Sequence, residues 1–298
     1  MKLYLALNEH GTHGDIALHT KLAVLSARKH SDLDIKMLYI GRRNEFTQWL
    51  EQHGVEILDQ HLPYYDLIKR LSDEGKYNLS TVGHWLRTNV CLTTNDDYVF
   101  YSDIDILFLS NPIGLEQEPS YFMAAPEFKK DGWNYFNAGV MHINVRKFQE
   151  TYNEFEKYIR KNIEEKTYQF HDQIAYNTFY RGKWEKLALE MNWKVYWGAN
   201  KEAKILHFHG PKLGAINAIL SGQWNWNNEH GRQIGSIFAQ HISSYRYYIA
   251  FLLDYIDELS HHEREFIIDI HYRMSKDFDI SRYKPDTTFM NFKMFPED

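Results

Sequence analysis

The chain has 298 residues, 44% hydrophobic and 25% charged, a balance that excludes disorder, collagen-like repeats and a disulfide-stapled mini-domain. Its 34 Lys and Arg stand against 40 Asp and Glu, a net charge of −6, so the electrostatic footprint of a DNA- or RNA-binding protein is missing. Cys91 is the single cysteine, which permits no internal disulfide and fits a reducing compartment.

Residues 2–8 form an apolar run of strand length that stops at Asn8-Glu9-His10, too short for a signal-peptide core. Gly11-Thr12-His13-Gly14 punctuates it, and Asp15 is placed to cap a helix reaching about residue 30. Strand 34–40, helix 44–53 and strand 54–58 follow. This βαβαβ opening predicts an open, largely parallel sheet with right-handed crossovers, whose ligands bind beyond the carboxyl ends of the strands.

A helix over 81–92 precedes residues 97–108, which read as one buried strand ending in two acids. Strands over 121–125 and 135–145, a helix over 146–163, a short helix over 172–180 and a final strand over 204–208 complete this part. From about Gly214 strand signals vanish. A long aromatic helix over 234–259, a helix over 263–274 and an irregular tail with Pro285 and Pro296 are expected there. The organisation predicted is an α/β domain over 1–214 with a helical C-terminal extension over 215–298. No apolar run of about 18 residues occurs, so no membrane span is expected. The expected location is the cytoplasm, with peripheral membrane contact as the alternative.

Asp103 and Asp105 are the sharpest local feature. At i and i+2 of an extended segment their carboxylates share a face, and two hard oxygen ligands at that spacing suit Mg²⁺ or Mn²⁺. A pair of surface acids is the alternative. The core-like flanks Tyr98-Val99-Phe100-Tyr101 and Ile106-Leu107-Phe108 favour a cation, because acids emerging from a buried strand are costly without one.

In Ile205-Leu206-His207-Phe208-His209-Gly210-Pro211-Lys212, an apolar strand delivers His207, Gly210 allows close backbone approach and Lys212 adds a point charge. An imidazole would complete a metal site, with a diphosphate on Lys212 and the loop amides. Among 16 histidines, a hydrogen-bonded structural role is the alternative for either ring. In the strand 136–144, the small residues Ala138 and Gly139 mark a bulge, a ligand pressed onto the backbone or a tight packing point, and Asn137 could bond hydroxyls. In His171-Asp172-Gln173, Asp172 could cap a helix, leaving Gln173 to face a cleft.

In this order the four elements resemble glycosyltransferase family 8, the group of glycogenin and the bacterial lipooligosaccharide galactosyltransferases. The carriers are Asp103-Ile104-Asp105 after a hydrophobic strand, Phe136-Asn137-Ala138-Gly139-Val140-Met141, Asp172-Gln173, and His207-Phe208-His209-Gly210 with Lys212. Trp85-Leu86-Arg87 stands where that family has an upstream arginine. The resemblance implies an α/β GT-A fold, a UDP-sugar donor, Mn²⁺ (or Mg²⁺), and hexose transfer with retained anomeric configuration. Carried over residue by residue, Asp103, Asp105 and His207 would hold the metal, and Gly210 and Lys212 the diphosphate. Arg87, Asn137, Ala138, Asp172 and Gln173 would line the donor sugar, with Gln173 nearest the reacting face. Ala6, Asn8 and Ile104 would meet the nucleotide. The catalytic set would be Arg87, Asp172, Gln173 and Lys212.

Asn8 stands where the family usually has Asp. The loop after Gly210 is one residue shorter before its Lys, and Leu213-Gly214 replaces the usual Pro-Trp. The implied acceptor is a glycan, a lipid-linked sugar or another hydroxyl. Two alternatives stand beside this function. A nucleotidyltransferase would also use paired acids and a metal, but would carry a basic residue in the loop at Gly11-Thr12-His13-Gly14. A nucleotide-sugar-binding protein on the same fold is the non-enzymatic reading. In the extension, Trp224, Trp226, Tyr245, Tyr247, Tyr248, Phe251 and Tyr255 form either an acceptor platform or the core of a helical pair or dimer. Residues after about Gly222 are expected to serve acceptor recognition.

Overall fold

The computed structural model describes residues 1–112 and 117–276, so the expected tail with Pro285 and Pro296 lies outside the described residues. β1 (Lys2–Asn8), α1 (Gly14–His30), β2 (Asp34–Ile40), α2 (Glu45–Gln52) and β3 (Glu56–Asp59) realise the expected opening, with β1 parallel to β2 and β2 parallel to β3. β1 is buried over its five central residues because both sheet faces are covered, which explains its continuous apolar run. α2 begins with a reciprocal capping box between Asn44 and Thr47. α1 does not begin as expected: His13 precedes it without a side-chain cap, and Asp15 lies inside the first turn, where its charge suits the helix dipole.

α3 (Tyr65–Asp73), absent from the sequence reading, is followed by α4 (Val82–Trp85). The single helix expected over 81–92 is instead α4 and a 3₁₀ stretch, Leu86–Leu92. Arg87, Thr88 and Thr93 each bond the carbonyl three residues back, which favours the tighter turn.

The single strand expected over 97–108 is two strands in two sheets. β4 (Tyr98–Ser102) lies between β1 and a later strand of the large sheet, whereas β5 (Ile106–Phe108) belongs to a small one. Asp103, Ile104 and Asp105 are therefore a crossover and not an extended segment. The Asp103 N–H donates to Gly139 O at 2.6 Å, while Asp105 O accepts from the Phe208 N–H at 2.8 Å, so the two acids are anchored to different sheets.

β6 (Phe122–Pro126), β7 (Phe136–Asn144), α5 (Val145–Lys166), α6 (Asp172–Phe179) and β8 (Trp184–Lys186) complete the seven-stranded sheet, ordered β3-β2-β1-β4-β7-β6-β8. It is mixed: β3, β2, β1 and β4 run parallel as expected, but β7 is antiparallel to both β4 and β6. β9 (Trp193–Lys194) and β10 (Ile205–His207) join β5 in a three-stranded sheet.

The rest of the described chain is helical: α7 (Leu213–Leu220), α8 (Glu229–Gln240), α9 (Ile242–Ile249) and α10 (His261–Ser275). The long helix expected over 234–259 is broken at His241, whose backbone leaves the helical region, and becomes 3₁₀ over Ala250–Glu258. These helices share one hydrophobic cluster with Leu18 and Leu22 of α1 and with Leu107 and Leu206 of the small sheet. Tyr245, Tyr248 and Tyr255 are buried in it and cannot serve as an open platform, whereas Trp224 and Trp226 are only half-buried. Among the described residues no helix is long and apolar enough to cross a membrane.

Candidate active site

A cleft of about 530 Å³ opens at the carboxyl ends of β1 and β4, the position that a parallel sheet with reversing strand order leaves for a ligand. Ala6, Asn8, Arg87, Asp103, Ile104, Asp105, Asn137, Asp172, Gln173, His207 and Lys212 all line it. Two expected residues do not. Ala138 is fully buried, its N–H donating to Gln173 Oε1 and its carbonyl accepting from Arg87. Gly210, at φ +91°, borders an adjoining cavity.

Asp103, Asp105 and His207 each present a ligand atom, and these atoms lie within 4.8 Å of one another. Gly139 makes this possible. A Cβ there would fall 2.4 Å from His207 Cε1 and 2.8 Å from Asp103 Oδ2, so the glycine marks side chains packed onto the strand. His207 Nδ1 meets Asn192 Oδ1 at 3.0 Å, which fixes the ring with Nε2 toward Asp105 at 3.3 Å. Burial lowers the His207 pKa, against the pull of Asp105, which favours the neutral, ligating imidazole. Two carboxylates and an oriented imidazole suit a divalent ion of the Mn²⁺ type.

Asp105 is buried, which alone would raise its pKa. Lys212 and His207 beside it outweigh burial and hold it well below the usual carboxylate range. Arg87 is the second organising cation. It reaches Asp103 Oδ1 through Nη2 at 2.7 Å and Asp172 Oδ2 through Nε at 2.9 Å. Burial lowers the Arg87 pKa, but these two acids raise it further, and it stays charged. Asp172 is thus no helix cap: His171 holds that position, and Asp172 is the first helical residue with its carboxylate on Arg87. Gln173 Oε1 accepts from Asn137 at 3.2 Å and from the Ala138 N–H at 3.0 Å. Asn8 donates to Ser80 O at 2.8 Å and accepts from the Gly11 N–H at 3.2 Å; an aspartate could not make the first bond.

Sequence reasoning missed Glu127 and Asn192. Glu127 is 5% exposed and lines the cleft, with Oε1 2.9 Å from His209 Nε2 and Oε2 accepting from Asn137 at 2.7 Å. Burial raises its pKa, but His209, Lys194 and Asn137 bring it down to about 2. The signal was present, since a buried strand, β6, emerges into a carboxylate just as β4 does at Asp103. Asn192 carried no local signal, as only the fold brings it to His207.

Residues 122–212 match the model of Glycosyl transferase family 8. No curated protein sequence matches the chain. Several solved structures are similar to it. The apo-form glycosyltransferase GlyE of Streptococcus pneumoniae TIGR4 aligns at 19% identity and TM-score 0.55, over 72% of this chain and 56% of GlyE. The chain thus spans little more than half the length of that relative. Galactosyltransferase LgtC, solved with donor and acceptor sugar analogues, aligns at 15% identity and TM-score 0.54, over 81% of this chain and 96% of LgtC. Mouse xyloside xylosyltransferase 1 aligns at 12% identity and TM-score 0.51, over 70% of this chain and 97% of its own. At these identities the likeness carries the fold alone: the chain has the GT-A fold of these glycosyltransferases, and its residues 122–212 match family 8.

Proposed function

We propose that this protein is a metal-dependent, retaining hexosyltransferase that moves a sugar from a UDP-linked donor to a hydroxyl of a glycan or other acceptor. The observation that carries the reading is the Asp103–Asp105–His207 cluster facing Lys212 in a cleft at the carboxyl ends of parallel strands. Breaking a sugar–phosphate bond leaves negative charge on the departing diphosphate, and a bound divalent ion supplies Lewis-acid stabilisation of that charge. Asp103, Asp105 and His207 would hold the ion. Lys212 adds a point charge on the same side. Ala6, Asn8 and Ile104 would meet the nucleotide, and Arg87, Asn137, Asp172 and Gln173 would line the donor sugar.

Among the described residues around Gln173, neither cleft carboxylate, Asp172 nor Glu127, is free to act as base or nucleophile on the sugar's far face. Gln173 is an amide, a poor base and a poor nucleophile, and Asp172 is tied to Arg87. Both Glu127 oxygens are engaged, by His209 and Asn137. Front-face departure and attack, with the acceptor's proton passing to the diphosphate, fits this arrangement and keeps the donor's configuration. The test is incubation with UDP-glucose and UDP-galactose in Mn²⁺, following UDP release and the anomer of the first product by NMR. Full activity in excess EDTA overturns the metal assignment, and a β product from an α donor overturns retention.

A further inference from the structure

Glu127, Asn137, Asn192 and His207 come from four strands or their ends: Glu127 follows β6, Asn137 lies in β7, Asn192 precedes β9 and His207 ends β10. All four are buried. A hydrogen bond joins each to the next. Asn137 Nδ2 donates to Glu127 Oε2 at 2.7 Å, Asn192 Nδ2 donates to Asn137 Oδ1 at 2.9 Å, and His207 Nδ1 lies 3.0 Å from Asn192 Oδ1. The other Glu127 oxygen is 2.9 Å from His209 Nε2.

The direction of this chain is fixed from both ends. The Gly139 N–H, which can only donate, meets Asn137 Oδ1 at 3.0 Å, so that atom is the amide oxygen. The Asn137 nitrogen is then left for two acceptors, the Glu127 carboxylate and Gln173 Oε1, the second itself marked as an oxygen by the Ala138 N–H. An acceptor at Asn137 Oδ1 demands the amide nitrogen of Asn192, which turns the Asn192 oxygen to His207. Only a protonated Nδ1 answers that oxygen, so the bare Nε2 faces Asp105 Oδ1, 3.3 Å away. Every N–H thus points toward Glu127. In a buried chain each hydrogen bond polarises the next, so the carboxylate is felt at an imidazole that it does not touch.

We infer that Glu127 is a positioning residue for the metal site: through Asn137 and Asn192 it draws on the Nδ1 proton of His207 and makes the bare Nε2 a stronger ligand. The inference rests on the metal-dependent reading of the cleft. Two measurements test it, two-bond ¹H–¹⁵N NMR of the metal-free full chain and Mn²⁺ EPR titration without donor. In wild type, His207 should carry its proton on Nδ1. Glu127→Gln keeps the hydrogen-bonding shape but loses the charge; the Nδ1 proton should move upfield as its bond weakens. Mn²⁺ affinity should fall about threefold in this variant, less than the roughly 10- to 100-fold usual for removing a ligating histidine's direct partner, which Asn192→Leu should show. A merely structural Glu127 would change the melting temperature and leave both readouts where they were, which overturns the proposal. So does an Nε2–H tautomer in wild type, a result that needs no variant to fold. A wild type that binds no Mn²⁺, with the upfield shift present in Glu127→Gln, removes the metal assignment and leaves the relay from Glu127 to His207 standing.

Discussion

The ammonium of Lys212 rests on Oδ2 of Asp105, so one member of the carboxylate pair already has a cation when no divalent ion is bound. Lys212 and a divalent ion compete for the same oxygen. Lys212→Met should therefore bind Mn²⁺ several-fold more tightly in the absence of donor, as read by Mn²⁺ EPR titration. The same variant should lose about 100-fold or more in turnover, because stabilisation of the leaving charge goes with the side chain. Weaker Mn²⁺ binding would instead mean that Lys212 holds Asp105 in place for the ion.

Gly139→Ala tests the packing under the cluster. The added methyl collides with His207 and Asp103, neither of which can retreat from its partners, Asn192 and Arg87. Stability should fall by about 1–3 kcal/mol, the usual range for overpacking, and Mn²⁺ affinity should fall with it. Denaturant unfolding and the EPR titration measure the two effects, and unchanged Mn²⁺ affinity would detach the glycine from the site.

Glu127 predicts an acid limb of stability. Its folded pKa, about 2, lies below its ordinary 4.5. A depressed carboxylate contributes stability that is full above the unfolded value and is lost as pH falls toward the folded one. At about 1.36 kcal/mol per unit, the gap corresponds to roughly 3 kcal/mol. Urea unfolding between pH 6 and 3 should show much of this loss in wild type. Glu127→Gln should start lower and show a flatter slope.

Removing all residues beyond Gly222 should give an insoluble protein. Leu18, Leu22, Leu107 and Leu206 would lose cover from Tyr245, Tyr248, Ile249, Leu252, Ile267 and Ile270. At about 1.5–3 kcal/mol for each large apolar side chain returned to water, the loss rivals a whole domain's stability of about 5–15 kcal/mol. A soluble truncated chain with a native far-UV circular dichroism spectrum would contradict the shared core.

Much of the cleft was legible because its residues sit at the ends of strongly patterned strands. Asp103, Asn137 and His207 each follow or lie within an apolar run, and strand periodicity announces such runs. Chain direction was harder to read. Asp97 to Phe108 looks like one strand, since nothing local records that Asp103 bonds Gly139 while Asp105 bonds Phe208. β8 and β9, of three and two residues, are too short to show a period. Asn192 reaches His207 through tertiary structure alone. The aromatic C-terminal residues were ambiguous for another reason: composition does not distinguish a ring that meets a ligand from one that meets α1.

The division of the acids between two sheets has a mechanical consequence. Asp103 is tied by its backbone to the large sheet, whereas Asp105 and His207 move with the small one. An ion gripped by all three is a clasp across the seam where the chain passes between sheets. With it fastened, the amides of Asp103 and Phe208 should exchange slowly and in step; with it released, each should follow the breathing of its own sheet.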